Sequence, residues 1–303
     1  FVPPFLGRRR GWMLVTQVLV ILALIALALS QPDKNAAIVA FLAVLVAFFS
    51  ASQDVVIDAY RTEVLDPEER GLGSSYYITA YRIAMLFSGG FTLFLADHMS
   101  WKMVYFCMAA SMLVGVVTSF WAPEPTVNAA TPKSMQEAVV EPFKEFFSRR
   151  GAFEILFFIV IYKLDVVVAT ALLTPFLMQT GFTKTDIFAV YKTFGFFATI
   201  AGGIVGGLIM TKISVKKSLW LFGLLQGVSG LAFILLAHFG QNYPLFVSAI
   251  ALENFCSAMG TTAYAVFLMS LCNVKFTATQ YALLSSLMAL TRVFAGAPTG
   301  FLA

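Results

Sequence analysis

The stretch FFSASQDVVIDAYRTEV (48–64) sets four polar groups, Gln53, Asp54, Asp58 and Arg61, behind an apolar run. Asp54 and Asp58 are four apart, so a helix would place both carboxylates on one face, one turn from each other. If the preceding run lies in a bilayer, these acids are costly to keep and are functional candidates by default. Burial penalises the ionised form, a nearby cation restores it, and the balance makes the proton exchangeable. Asp54 is therefore assigned to a proton site or an ionic gate. Its expected partner is Arg82: the two lie roughly 9 Å and 13 Å above one membrane face at 1.5 Å per residue. Asp58, one turn nearer that face, is expected to close on Arg8, Arg9 or Arg10, which precede the first apolar run.

Further ionisable residues fall inside apolar runs: Lys163, Asp165, Lys192, Glu253 and Arg292. Lys163 and Arg292 come out near mid-depth, as does Arg82. Cations there suit an anionic ligand, whose carboxylates they can bind by charge-assisted hydrogen bonds. Lys192 lies closer to the outer face and suits an entrance. Asp165 and Glu253 join Asp54 and Asp58 as candidates for proton coupling or gating. The amides of Gln53, Gln226 and Asn254 can serve a polar ligand or a neighbouring helix. Cys107, Cys256 and Cys272 lie far apart, and His98 and His238 fall at the ends of apolar runs, so no metal-ligand spacing and no cofactor is expected. Neither G-x-S-x-G nor GxxxxGK[ST] occurs, which argues against a membrane hydrolase and against ATP as the energy source.

What must position these residues is a set of membrane helices. The chain has 303 residues, 59% hydrophobic and 12% charged, with a mean hydropathy of +0.85. Soluble domains carry roughly a quarter charged residues. A spanning helix needs about 20 mostly apolar residues. Nine runs qualify: 12–30, 36–60, 73–96, 102–122, 152–178, 186–211, 217–238, 244–272 and 278–303. The expected class is all-α and polytopic, since lipid admits no irregular spanning backbone. With Arg8–Arg10 placed inside, only Lys34, Lys102 and Lys184 of the 20 Lys and Arg fall in outside loops, and Arg82, Lys163, Lys192 and Arg292 lie within spans. That asymmetry obeys the positive-inside rule. The net charge of +4 thus marks inner loops and implies no nucleic-acid partner.

Two halves are expected, 1–122 and 152–303, joined by an inner linker over 123–151. In the linker, Ser134 and Glu137 suit a capping box. Met135, Val139, Val140, Phe143, Phe146 and Phe147 share one helical face, as in a helix lying on the membrane, with Pro142 free to split it. The halves echo each other. Arg9, Arg10, Trp12 and Gln17 match Lys216, Lys217, Trp220 and Gln226, and Arg82 matches Arg292, at offsets of 207 to 210 residues. Six spans separate the matched elements, which fits two six-helix halves and a transporter architecture. A chain that opens on Phe1 and stops within an apolar run at Ala303 reads as part of a protein of about twelve spans.

GRRR before the first run and LDPEERGLG (65–73) resemble the inner-loop motifs of major facilitators. ASQDVVIDAYRTEVLDPEERG, FWAPEPT, IYKLD, ENFCSAMGTTAY and CNVKFTATQYALLS, in this order, resemble the bacterial muropeptide permease family, AmpG. The resemblance covers nearly the whole chain. The acetyl-coenzyme A transporters share part of the pattern and are the alternative. The family implies proton-driven import of anhydro-muropeptides, GlcNAc-anhydroMurNAc peptides, across the bacterial inner membrane by a monomer, for peptidoglycan recycling and β-lactamase induction. Such ligands carry several carboxylates, which Arg82, Lys163 and Arg292 would contact. Gln53, Gln226 and Asn254 would then face sugar hydroxyls or acetamido groups, and Tyr60, Tyr76, Tyr81 and Tyr264 could stack on sugars or simply pack.

Overall fold

A computed structural model describes residues 5–30, 35–126, 132 and 134–302, without the side chains of Asp165, Arg292 and 295–302. The expectations placed on Asp165 and Arg292 therefore lie outside the described residues.

Every regular element among the described residues is helical. In chain order these are α1 (Arg8–Leu29), α2 (Ala36–Val64), α3 (Arg70–Leu86), α4 (Thr92–His98), α5 (Trp101–Ser111), α6 (Leu113–Trp121), α7 (Glu141–Phe147), α8 (Ala152–Gln179), α9 (Lys184–Val190), α10 (Phe196–Met210), α11 (Val215–Ser229), α12 (Leu231–Phe239), α13 (Tyr243–Leu271) and α14 (Thr277–Leu302). π-helical turns over Phe87–Phe91, Gln136–Val140 and Tyr191–Gly195 carry the chain from α3 into α4, into α7, and from α9 into α10. All nine expected runs are helices, with ends within a few residues of those read from hydropathy.

Among the described residues, seven of them, 8–29, 36–64, 70–98, 101–121, 152–179, 184–210 and 215–239, are both long and apolar enough to cross a membrane. Nine such spans were expected. α13 and α14 have the length, 29 and 26 residues, but are not among the seven. Glu253, Asn254 and a series of Ser, Thr and Tyr residues dilute α13. The chain is a multi-pass membrane protein.

The helices group into two compact units that do not follow linear order. One comprises 1–64, 83–133 and 273–281, and the other 65–82, 134–272 and 282–303.

In the first unit α1 packs on α2 and α5. Its N-terminus is closed by a distant acid: the Arg9 and Arg10 amides donate to the two Glu124 carboxylate oxygens at 2.8 and 3.0 Å. A carboxylate there satisfies orphan N–H groups and opposes the positive end of the helix dipole. Gly7, at φ 84°, enters this cap, and a Cβ would lie 2.6 Å from the Glu124 carboxyl carbon.

In the second unit α10 lies against α13 with glycines at the crossing. A Cβ at Gly202 would meet the Phe255 carbonyl oxygen at 2.1 Å, and one at Gly206 would reach Met259 Cα at 3.0 Å. Gly207 sits as closely against Gly71 and Ser75 at the start of α3. Close approach through small residues is how membrane helices gain packing without a hydrophobic drive. Gly202→Ala is expected to destabilise the detergent-solubilised protein by about 1–3 kcal/mol, because the clash is with backbone. Gly227→Ala, where a Cβ meets nothing within 4 Å, should be neutral or stabilising by up to about 1 kcal/mol. Thermal unfolding of the two variants side by side checks this.

The linker begins as expected, with the Glu137 amide donating to Ser134 Oγ at 3.1 Å. Pro142 stands in the first turn of α7, where its missing N–H costs nothing. Met135, Val139, Val140, Phe143 and Phe147 are exposed, while Phe146 is fully buried.

Candidate functional site

Polar side chains inside the apolar helices gather in one cluster per unit. In the first, the inner end of α2 carries three acids and an arginine within ten residues. Glu63, in its last turn, is the acid that meets α1. Arg9 Nε donates to Glu63 Oε2 at 2.8 Å, its second guanidinium nitrogen pairs with Glu63 Oε1, and Arg8 stands 3.5 Å from the same oxygen. The Glu63 side chain is only 2% exposed. Arg10 turns away and donates to the Ser119 carbonyl at 2.9 Å and to that of Phe120.

This corrects the expectation that Asp58 would meet Arg8, Arg9 or Arg10. Asp58 lies five residues, about 7.5 Å along the axis, further from the inner end than Glu63, and its side chain is shorter. The arginines reach the last turn first. Asp58 Oδ1 instead accepts from Arg61 of its own helix at 2.9 Å.

Arg61 is also the point where α14 begins to matter. Its guanidinium donates to the Tyr281 hydroxyl at 2.7 Å and lies 5.6 Å from the centre of that ring. Asp58, Arg61 and Tyr281 thus form a tie between positions 220 residues apart. The i,i+3 spacing of Asp58 and Arg61 was a legible signal, but Arg61 had been counted as a loop cation. Nothing local in the sequence pointed to Glu63 or Tyr281. Asp54, one turn deeper than Asp58, has no ion-pair partner in its own unit among the described residues. Gln53 is half-buried beside it. Arg82 belongs to the other unit. Tyr60 spends its hydroxyl on the Pro123 carbonyl at 2.8 Å.

The second cluster centres on Lys163 of α8, which is 7% exposed. Its ammonium donates to Thr261 Oγ1 of α13 at 2.8 Å and lies 5.3 Å from the Tyr264 ring centre. Tyr264 is itself fixed. Its hydroxyl donates to the Ile159 carbonyl at 3.1 Å, and its ring stacks on Tyr162 at 5.4 Å with 6° between planes. Tyr264 therefore packs and aims the lysine, and does not present a free face for a sugar. Tyr76 and Tyr81, 63% and 56% exposed, keep theirs open.

Gln226 of α11 is 5% exposed, with its amide oxygen set against Gly260, where a Cβ would come within 2.9 Å. Glu253 Oε2 accepts from Ser229 Oγ at 2.5 Å. Asn254 turns to protein partners, donating to the Ile250 carbonyl at 2.8 Å and accepting from Thr199 at 3.3 Å. Arg82 and Glu253 both lie within electrostatic reach of the Tyr191 hydroxyl. A desolvated ammonium, with a guanidinium and a carboxylate in the same unit, is equipped to exchange salt links with a charged ligand.

Residues 5–296 match the Major Facilitator Superfamily. The chain belongs to this superfamily. Among its relatives, the Anhydromuropeptide permease of Escherichia coli (strain K12) is 43% identical over 303 residues, 99% of this chain. The chain spans 62% of that permease's length. "Putative transporter AmpG 4" of Rickettsia conorii is 34% identical over 296 residues, covering 94% of this chain and 72% of the relative. A crystal structure of the E. coli fucose:proton symporter FucP superimposes with a TM-score of 0.71 at 13% identity, over 97% of this chain and 77% of that one. The superfamily's helical architecture is thus matched at the level of fold as well as sequence.

Proposed function

We propose that this chain works as a secondary active transporter that imports anhydro-muropeptides from the periplasm across the bacterial inner membrane. Import is by proton symport with alternating access, and it supplies peptidoglycan recycling. The observation that carries this reading is the 43% identity over 303 residues to a protein named for that permease activity. The buried ammonium of Lys163 supports it, since the cargo is anionic. The protein acts as a monomer and not as an enzyme.

In this reading Lys163, Arg82 and Arg292 take cargo carboxylates, and Gln53, Gln226 and Asn254 contribute amides. Asp54 carries the proton, with Asp165 and Glu253 as further acids on its route. The Asp58–Arg61–Tyr281 tie and the Arg8/Arg9–Glu63 pairs act at the inner gate.

The test is uptake of labelled anhydro-disaccharide peptide into membrane vesicles containing the protein, under an imposed pH gradient. Accumulation above the equilibrium level is expected, and an uncoupler should abolish it. Uptake that merely equilibrates, or none, would rule the proposal out.

A further inference from the structure

A cavity of about 320 Å³ opens between α8 and the start of α9, lined by Thr170 and Thr174 on one side and by Lys184, Phe188, Tyr191 and Lys192 on the other. All of it lies within one unit. The charge distribution places Lys184 at the outer end of its span. Lys192 is eight residues further in, about 12 Å at helical rise. Both are exposed, and neither takes part in an ion pair among the described residues. No carboxylate lines the cavity. The acid on the first turn of α9, Asp186, is occupied by capping Thr183, whose amide donates to it at 3.0 Å, and by the Tyr243 hydroxyl at 3.5 Å.

Two further facts point to a ligand. An ammonium two turns inside a span is costly against lipid, and such residues normally face a water-filled cavity. Tyr191 and Lys192 also open a π-helical turn. Such turns are rare and recur at functional sites, because the extra residue re-aims the side chains on either side. Here the turn sets a ring and a cation on one wall.

We propose that this cavity is an outer subsite for the carboxylate-ended peptide arm of the cargo. Lys184 and Lys192 hold carboxylates, Thr170 and Thr174 bond peptide amides, and Phe188 and Tyr191 cover small apolar side chains. The subsite captures the arm before the deeper Lys163 is reached. The inference rests on the import reading above.

The experiment compares uptake of labelled anhydro-disaccharide peptide with uptake of the same compound after its peptide carboxylates are converted to amides. The wild-type protein and the double variant Lys184→Gln, Lys192→Gln are assayed in vesicles at matched protein levels. For the free acid the double variant should raise KM about tenfold, the range of one or two charged hydrogen bonds at an open site, with the maximal rate within about twofold. For the amide form KM should move less than about twofold, and Lys→Arg at both positions should restore the wild-type value. An unchanged KM for the acid, or an equal rise for acid and amide, overturns the subsite and leaves the import reading standing. Wild-type vesicles that take up neither compound overturn both.

Discussion

Asp54→Asn is expected to abolish uphill uptake while leaving exchange of cargo across the membrane intact. With an imposed gradient of about 2 pH units, one proton per cargo supports a concentration ratio of about 100-fold, at about 1.4 kcal/mol per unit. A variant that cannot carry the proton should settle near a ratio of one, a loss of about 100-fold under the same gradient. Asp54 is singled out from Asp58 because Arg61 neutralises only Asp58, at 2.9 Å. Two carboxylates one turn apart repel when both are ionised, and Asp54 is the one without an ion-pair partner in its unit among the described residues, so it is the one for which a proton relieves the repulsion. Asp58→Asn should instead disturb the Arg61–Tyr281 tie and slow exchange as well as accumulation. The two measurements together separate proton coupling from gating. If Asp54→Asn accumulated cargo to the wild-type ratio, the proton would have to be carried by another acid.

The helices were legible because their signal is local. A run of about 20 apolar residues can only be a helix in lipid, so even α13 was bounded correctly although its polar residues make it a poor span by hydropathy. Single charges on the right face were also legible: Arg8 and Arg9 do find an acid at the inner end of α2. Which acid they find was not, because the choice between Asp58 and Glu63 depends on one helical turn and on side-chain length. The Tyr281 contact was out of reach for a different reason. Its partner lies 220 residues away, and only the assembled chain brings them together. The π-helical turn at Tyr191–Gly195 left no propensity signature, since the same residues are compatible with an α-helix. For Tyr264 the residue type left sugar stacking and packing both open, and the structure shows packing, with the hydroxyl bound to Ile159 and the ring set between Tyr162 and Lys163.

That use of Tyr264 bears on the proposed binding of cargo. In the first unit Arg8 and Arg9 pair with Glu63, and Arg61 pairs with Asp58. Such contacts are broken when either partner is neutralised or competed for. In the second unit Lys163 donates to the Thr261 hydroxyl and lies over the Tyr264 ring.

Lys163→Met is the sharpest test of the proposed role of Lys163 in taking cargo carboxylates. The substitution keeps the length and apolar stem of the side chain and removes only the ammonium, so the packing of Tyr162 on Tyr264 should survive. Binding of the anionic cargo to the purified protein is expected to weaken about 100-fold, since a buried charged hydrogen bond contributes up to about 3 kcal/mol. Lys163→Arg should recover only part of this, because a planar fork cannot keep the 2.8 Å bond to Thr261 and the approach to the Tyr264 face together. Thr261→Val, which leaves the charge but removes its anchor, should cost less, about tenfold, by letting the ammonium swing. Calorimetric titration of the four proteins gives the order wild type, Thr261→Val, Lys163→Arg, Lys163→Met from tightest to weakest. The melting temperature of Lys163→Met, measured without cargo, guards against misfolding. Wild-type affinity in a well-folded Lys163→Met would mean that the ammonium serves the helix packing of α8 on α13, and that the cargo's carboxylates are met elsewhere.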